Sequence, residues 1–343
     1  MKSNAGTLII TNPSPADQGW YQCNATNQFG TALSFATRLR MAELSQFPYD
    51  SRPKVVRARR GDSVILDCTP PTGVPDPYIY WSVVGDSDRD QFGTISVTAR
   101  VTQDYYGKLY ILNVEDEDEK DKRPYACNAY SRRLLLLNQG ELTVLEVEKV
   151  SPTNKAPVKL WSSEQNRVFL LGSEMRLKCI FGGRPTPQVL WRKIEGPLPT
   201  DGRYSTDSEG QELVISPVQF SDMGTYECRG SNELGMALSS MSVVIESEPY
   251  WETKPEDQNV GISEDVKFEC NANGKPAPNR VDWYVNGKLL ETRMLASNRR
   301  ISVNNKVLEV KNVITTDTSV FACNVTNKHG YVWTNFYLNV LGK

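Results

Sequence analysis

Histidine occurs once in 343 residues, and a basic excess is missing, with Lys+Arg 39 against Asp+Glu 41. A near-neutral balance argues against a nucleic-acid binder, which needs a strong basic excess to displace counterions from phosphates. Long apolar runs are missing too. The four leucines Leu134, Leu135, Leu136 and Leu137 form the longest, against the roughly 18 to 20 residues that cross a bilayer. The opening "MKSNAGTLII" lacks the hydrophobic core and small-residue cleavage site of an export signal. The chain as given is therefore expected to hold neither a signal peptide nor a membrane-spanning segment.

Among the seven cysteines no Cys-x-x-Cys pair occurs, so zinc sites and thioredoxin-like redox motifs are not expected. The one histidine, His329, stands in the turn sequence "NKHG", away from any candidate nucleophile, and no Gly-rich phosphate loop or metal-spaced cluster is present. These absences point away from an enzyme, a metal site and a cofactor.

What is present is a repeat. The strings "DQGWYQC", "DKRPYAC", "SDMGTYEC" and "TDTSVFAC" each place an Asp six residues before a Cys (Asp17, Asp121, Asp222 and Asp317) and an aromatic two before it (Tyr21, Tyr125, Tyr226 and Phe321). Positions two apart in a strand share a face, so aromatic and Cys both point into a core. After three of them come "NATNQFG", "RGSNELG" and "NVTNKHG", whose Asn and Gly mark a hairpin turn. The other cysteines follow "GDSVILDC", "GSEMRLKC" and "SEDVKFEC"; each precedes a Gly-x-Pro-x-Pro turn, starting at Gly73, Gly183 and Gly274, and then a Trp at 81, 191 and 283.

Cys…Trp…Cys at this spacing, three times over, resembles the immunoglobulin domain. The resemblance pairs Cys68 with Cys127, Cys179 with Cys228 and Cys270 with Cys323 across facing sheets, with Trp81, Trp191 and Trp283 packed on the bridges. The expected fold is all-β: tandem immunoglobulin-like sandwiches of I-set type, three complete and one represented by its last strands. Residues 1–45 form that piece, and Cys23 is expected to be unpaired, its partner and Trp belonging to strands truncated from the chain. Residues 46–149, 158–247 and 248–343 form the complete domains. The polar stretch "VSPTNKAP", residues 150–157, has two prolines and no strand pattern, and is expected to be a hinge.

The strings "PPTGVPDPYIYW", "APVKLW", "FGGRPTPQVLW" and "GTYECRGSNELG", in this order, resemble the N-terminal immunoglobulin domains of the neuroglian family of neural cell adhesion molecules. The resemblance implies a horseshoe in which domain one folds back on four and two on three. It also implies homophilic adhesion between neurons with roles in axon guidance, and a place on the extracellular side of the plasma membrane as part of a longer parent. Its implied partners are the same protein on an opposing cell and other immunoglobulin-family adhesion molecules. An eight-residue linker reaches about 25 to 29 Å, enough to reverse past a sandwich roughly 20 Å thick. Half of domain one cannot bury a sandwich core, so a full contact between one and four is not expected. The competing reading is a soluble hemolin-like immune protein that binds microbial surfaces.

Smaller features carry two readings each. Arg60-Gly61-Asp62 spells an integrin tripeptide, yet Gly61 stands seven residues before Cys68 as Gly172 does before Cys179, so the turn needs Gly there in any case. The acidic residues 115–121 read as a solvated turn rather than a cation loop, which needs specific ligand spacing and a Gly bend. Asn24-Ala25-Thr26 and Asn324-Val325-Thr326 are glycosylation sequons, and alternation turns both asparagines outward, with Asn324 favoured as acceptor. The basic run "RPKVVRARR", residues 52–60, reads as a charge-guarded edge strand or a sulfated-glycan site. The four leucines put apolar groups on both faces of a late strand; a fold-back predicts that domain three covers them, and an ordinary strand leaves them on the surface.

Overall fold

A computed structural model of the chain describes residues 2–4, 6–48, 52–85, 93–207, 209–291 and 300–342. The chain is built of strands, with four short 3-10 segments among the described residues, and divides into two compact units. One is Met41–Val244; the other joins Met1–Arg40 to Ile245–Lys343.

The unit Met41–Val244 contains two sandwiches. In the first, a sheet ordered Tyr78–Val83, Tyr125–Ser131, Leu136–Glu148, Lys54–Arg59 faces a sheet ordered Val101–Gln103, Leu109–Ile111, Val64–Leu66. Period-2 alternation places Trp81 opposite Cys127 in register, and a disulfide joins Cys127 to Cys68. Around them Leu66, Leu109, Ile111 and Tyr125 form a closed core. The edge strand Lys54–Arg59 runs parallel to Leu136–Glu148, and its charges are paired along that edge: Arg57 with Glu146 at 2.8 Å and Arg59 with Glu148 at 3.0 Å. In the second sandwich one sheet runs Lys155–Ser162, Met175–Arg184, Glu212–Ile215, Tyr204–Thr206. The other runs Asn166–Leu170, Gly235–Thr253, Gly224–Asn232, Gln188–Lys193. Cys179 is bonded to Cys228, opposite Trp191.

In the other unit a complete sandwich joins a sheet ordered Gln258–Gly261, Gly330–Leu341, Ser319–Asn327, Arg280–Val285, Lys288–Leu289 to one ordered Val266–Glu269, Val307–Val310, Ile301–Asn304. Cys270 is bonded to Cys323 opposite Trp283, within a core that includes Phe268, Phe321 and Phe336. The N-terminal piece contributes only short pairs: Thr7–Ile9 with Lys2–Asn4, Gly19–Tyr21 with Thr37–Leu39, and Asn24–Asn27 with Gly30–Leu33. Leu8, Trp20 and Phe35 are exposed, and Cys23 is a free, exposed thiol.

Small devices recur along the chain, the corner Tyr being replaced by Phe321 in the last sandwich. The Trp indole N–H donates to a backbone carbonyl, at Gly107, Gly210 and Asn305, so its polar end is satisfied inside the core. A corner Tyr hydroxyl donates to a carbonyl a few residues upstream: Tyr21 to Asp17, Tyr125 to Asp118 and Tyr226 to Asp222. An arginine then clamps the corner carboxylate: Arg203 on Asp222 at 2.6 and 3.1 Å, Arg300 on Asp317 at 2.5 and 3.0 Å, and Arg100 on Asp118 with one contact at 3.1 Å. Bidentate pairing of this kind fixes geometry as well as charge.

The sandwich of Cys127 corrects the Asp register. Counting back from Cys127 selects Asp121, but three extra residues shift the corner, and Asp118 takes the buried, Arg-clamped position while Asp121 has positive φ in the turn. The domain limits shift for similar reasons of pairing. Glu43–Leu44 pairs with Gly73–Val74, and Phe47 packs on the Trp81 core, so this sandwich begins before Gln46. The stretch 150–157 is not free of strand: Lys155–Ser162 is an edge strand whose Lys155 lies opposite Arg184, and an edge tolerates Pro157.

Gly61 has φ +86, and a Cβ there would stand 2.5 Å from Pro152 Cβ. Gly61→Ala is expected to cost about 1 to 3 kcal/mol from strain alone, read as a lower urea midpoint in equilibrium unfolding.

Candidate functional site

Surfaces, rather than a pocket, carry the unusual features. An ordinary sandwich strand buries alternate residues, yet Leu109–Ile111 is buried on both faces, and so is the Cys179 to Phe181 stretch of its neighbour. Leu109 and Ile111 fill their own core. The alternate residues Tyr110 and Leu112 meet Ile180, Leu160 and Trp161 of the adjoining sandwich. Outer sheet face is thus packed on outer sheet face within this unit.

Polar contacts ring that apolar centre. The Tyr105 and Tyr106 rings stand edge-on to Trp161 at 5.5 and 6.3 Å; Tyr105 hydroxyl donates to Glu212 at 2.8 Å and Tyr106 hydroxyl to Glu164. Gln211 Nε2 donates to the Ala99 carbonyl at 3.1 Å, and Arg184 donates to Asn113 at 2.5 Å and to Glu115 at 3.2 Å. Burial, with the Glu212 charge beside it, holds the Tyr105 hydroxyl far above the ordinary tyrosine range, so it stays a donor.

Burial works to raise the Glu115 carboxyl, but hydrogen bonds and charge from Arg60 and Arg184 outweigh it and hold the group below the ordinary glutamate range. A carboxyl depressed by folding contributes stability that is present above its unfolded value and is lost as pH falls through the folded one. Urea midpoints measured downward from the ordinary glutamate value of about 4.3 should therefore fall more steeply for the native chain than for Glu115→Gln. Equal slopes would mean that the pair contributes nothing.

The other unit also uses an outer sheet face. Residues 29–36 of the N-terminal piece lie on the strands Ser319–Asn327 and Gly330–Leu341. Asn335 Nδ2 donates to the Leu33 carbonyl at 2.8 Å while its Oδ1 accepts from Leu33 N–H at 3.3 Å. Tyr331 hydroxyl accepts from Ala36 N–H at 3.0 Å, and Asn286 Oδ1 accepts from Thr31 N–H at 3.3 Å. A Cβ on Gly30 would lie 2.3 Å from Asn286 Oδ1, so this approach requires Gly. The piece has only short strand pairs, but it does contact the last sandwich, through its own backbone rather than through a completed core. A full contact between domains one and four was not expected of half a domain; the contact here is confined to residues 29–36.

Two apolar surfaces remain open. On the sandwich of Cys179, Leu190, Met236 and Leu238 are exposed around Arg229, for which the described residues supply no ion-pair partner; Leu190, Arg229 and Leu238 lie side by side in register. The four leucines are the other, and they correct the prediction that domain three covers them. Leu134 and Leu135 belong to the turn before the strand Leu136–Glu148, Leu135 with φ 52, and all four are at least 40% exposed.

Other sequence-derived candidates fall as follows. Arg60 pairs with Glu115 at 2.9 Å and Asp62 with Lys155, so both charged ends of the Arg60-Gly61-Asp62 turn are engaged within the chain. The acidic residues 115–121 are partly ion-paired, to Arg60, Arg100 and Arg184, rather than simply solvated. Asn24 is exposed. Asn324 is on the outer face as alternation requires and is half-buried, with its amide oxygen enclosed. His329 sits in its turn beside Glu246, which Lys328 also reaches at 2.8 Å. Sequence reasoning missed Arg100, Arg203 and Arg300, although an Arg 17 to 19 residues before each corner Asp was there to be found. It also missed Trp161, Ile180 and Asn335, whose only signal was apolar or amide residues on a face that a lone sandwich leaves wet.

The immunoglobulin I-set domain profile matches residues 160–245 and 249–340. The chain belongs to the immunoglobulin I-set family. Among I-set relatives, neuroglian of Drosophila melanogaster is 36% identical over 98% of this chain and 26% of its own length. Neuronal cell adhesion molecule of Gallus gallus is 32% identical over 100% of this chain and 26% of its own. The chain thus spans about a quarter of the length of the curated relatives it matches. Of solved structures, the insect immune protein hemolin is 26% identical, with a TM-score of 0.78 over 96% of this chain and 84% of that one; its domain arrangement was described as having implications for homophilic adhesion. The chain is neuroglian-like along its whole length, and no helix among its described residues is long and apolar enough to cross a membrane.

Proposed function

We propose that this I-set chain is the extracellular, self-recognising part of a neural cell adhesion molecule, and that it works as a horseshoe, domain one against four and two against three. The observation that carries the reading is the pairing of Leu33 with Asn335, 302 residues apart in sequence and inside one compact unit. The packing of Tyr110 and Leu112 on Ile180 supports the other arm in the same way. Both arms use outer sheet faces, which a chain of independent beads leaves to solvent.

Its partner is the same protein on an opposing cell, with other immunoglobulin adhesion molecules as further partners, and axon guidance as the setting that its neural relatives suggest. Single contacts of this class are weak; arrays on two surfaces multiply them by effective concentration. The exposed Leu190, Met236 and Leu238 supply apolar area of the kind that such contacts use.

Beads coated with the chain test this directly. They should clump with one another, and excess soluble chain should disperse them. Beads that stay single but bind lipopolysaccharide would instead favour the hemolin-like immune reading, which the fold similarity to hemolin keeps in play.

A further inference from the structure

The sequon Asn324-Val325-Thr326 lies in the middle of a covered sheet face. Along the outer face of the paired strands Ser319–Asn327 and Gly330–Leu341, successive rows are Val320 with Tyr337, Ala322 with Asn335, Asn324 with Trp333, and Thr326 with Tyr331. Residues 29–36 touch the rows on both sides of Asn324. Phe29 meets Tyr337 with ring centres 6.4 Å apart, and Leu33 is bonded to Asn335. Beyond the Asn324 row, Ala36 is bonded to Tyr331 and the Phe35 ring lies 5.9 Å from it. The Asn324 row is therefore bracketed beneath the crossing segment. Within the row itself Trp333 is 8% exposed, its ring packed on Tyr284 with centres 4.7 Å apart.

An N-linked glycan must leave Asn324 away from the sheet, through the space that residues 30–36 occupy, and it is far too bulky to share that space. We propose that Asn324 is a glycan acceptor occupied in a fraction of molecules and that its sugar competes with residues 30–36 for this face, so that occupied molecules release the N-terminal piece from the sandwich of Trp283 while unoccupied ones keep the contact on which the proposed horseshoe rests. The proposal rests on the extracellular reading above, because only a chain that enters the secretory pathway meets the transferase. Asn24, exposed on the piece itself, carries a sugar without conflict and serves as the internal control.

The test is to secrete the full chain from insect cells behind a cleavable leader and to compare it with Thr326→Ala, which removes the sequon but keeps Asn324. Glycopeptide mass spectrometry reads occupancy; hydrogen exchange reads residues 30–36. With Asn324 occupied, these amides should exchange about tenfold or more faster than in Thr326→Ala, while residues 266–269 of the core stay equally protected. Equal exchange at 30–36 with Asn324 occupied would overturn the proposal. So would a bare Asn324 in molecules whose Asn24 is glycosylated, or general loss of protection that includes 266–269. Failure of the adhesion reading would show in bead clumping and leave these readouts untouched.

Discussion

Cys179→Ser lowers the stability of its sandwich by about 2 to 5 kcal/mol, the usual cost of deleting a bridge from a small secreted domain. The bridge closes a loop of 49 residues of sequence separation, and both sulfurs are fully buried against Trp191. Trp191→Ala reaches a similar loss, about 3 to 5 kcal/mol, because it empties the core beside the bridge. It also leaves the Gly210 carbonyl without the indole donor that now sits at 2.8 Å. Calorimetry of the full chain should show the transition of the unit Met41–Val244 displaced downward in each variant while the sandwich of Cys270–Cys323, in the other unit, keeps its own. An unchanged trace for either variant contradicts the assignment of this core.

Ile180→Ala is the second large effect, and it separates the present arrangement from a string of independent domains. Ile180 neighbours Cys179 in a strand, so its side chain leaves the core of its own sandwich and is buried completely by Tyr110, Leu112, Leu160 and Trp161. Were that face wet, truncation would be nearly neutral, within roughly 0.5 kcal/mol. Buried as it is, the substitution should cost about 2 to 5 kcal/mol. Proteolysis in native buffer should then nick the stretch near Lys155 sooner, because the contacts of Tyr105 and Tyr106 with Trp161 depend on the same packing.

Why some of this was legible in the sequence and some was not follows from the range of the interactions. The bridges, the core tryptophans and the corner tyrosines recur at nearly constant spacing, because each is set by register within one sandwich; Trp81, Trp191 and Trp283 all land opposite a bridge Cys. The Asp118 shift was missed because spacing counted from Cys127 cannot see an insertion between corner and strand. The outer faces were harder. "LYIL" at residues 109–112 and "LLLL" at 134–137 look alike as apolar runs. The first is buried on one side by its own core and on the other by a second sandwich, whereas the second begins in a turn and stays exposed. Nothing local distinguishes them, since what covers a face lies tens or hundreds of residues away. The same holds for Asn324, whose outward direction follows from alternation while residues 29–36 meet the rows on either side of it.

The most direct test of the account is a double-mutant cycle between Leu112 and Ile180 in the full chain. If outer sheet faces pack as described, the losses from Leu112→Ala and Ile180→Ala will not add, and the coupling will fall at about 0.5 to 3 kcal/mol. Strictly additive losses would mean that the two side chains do not meet, and the fold-back on which the proposed adhesion rests would go with them.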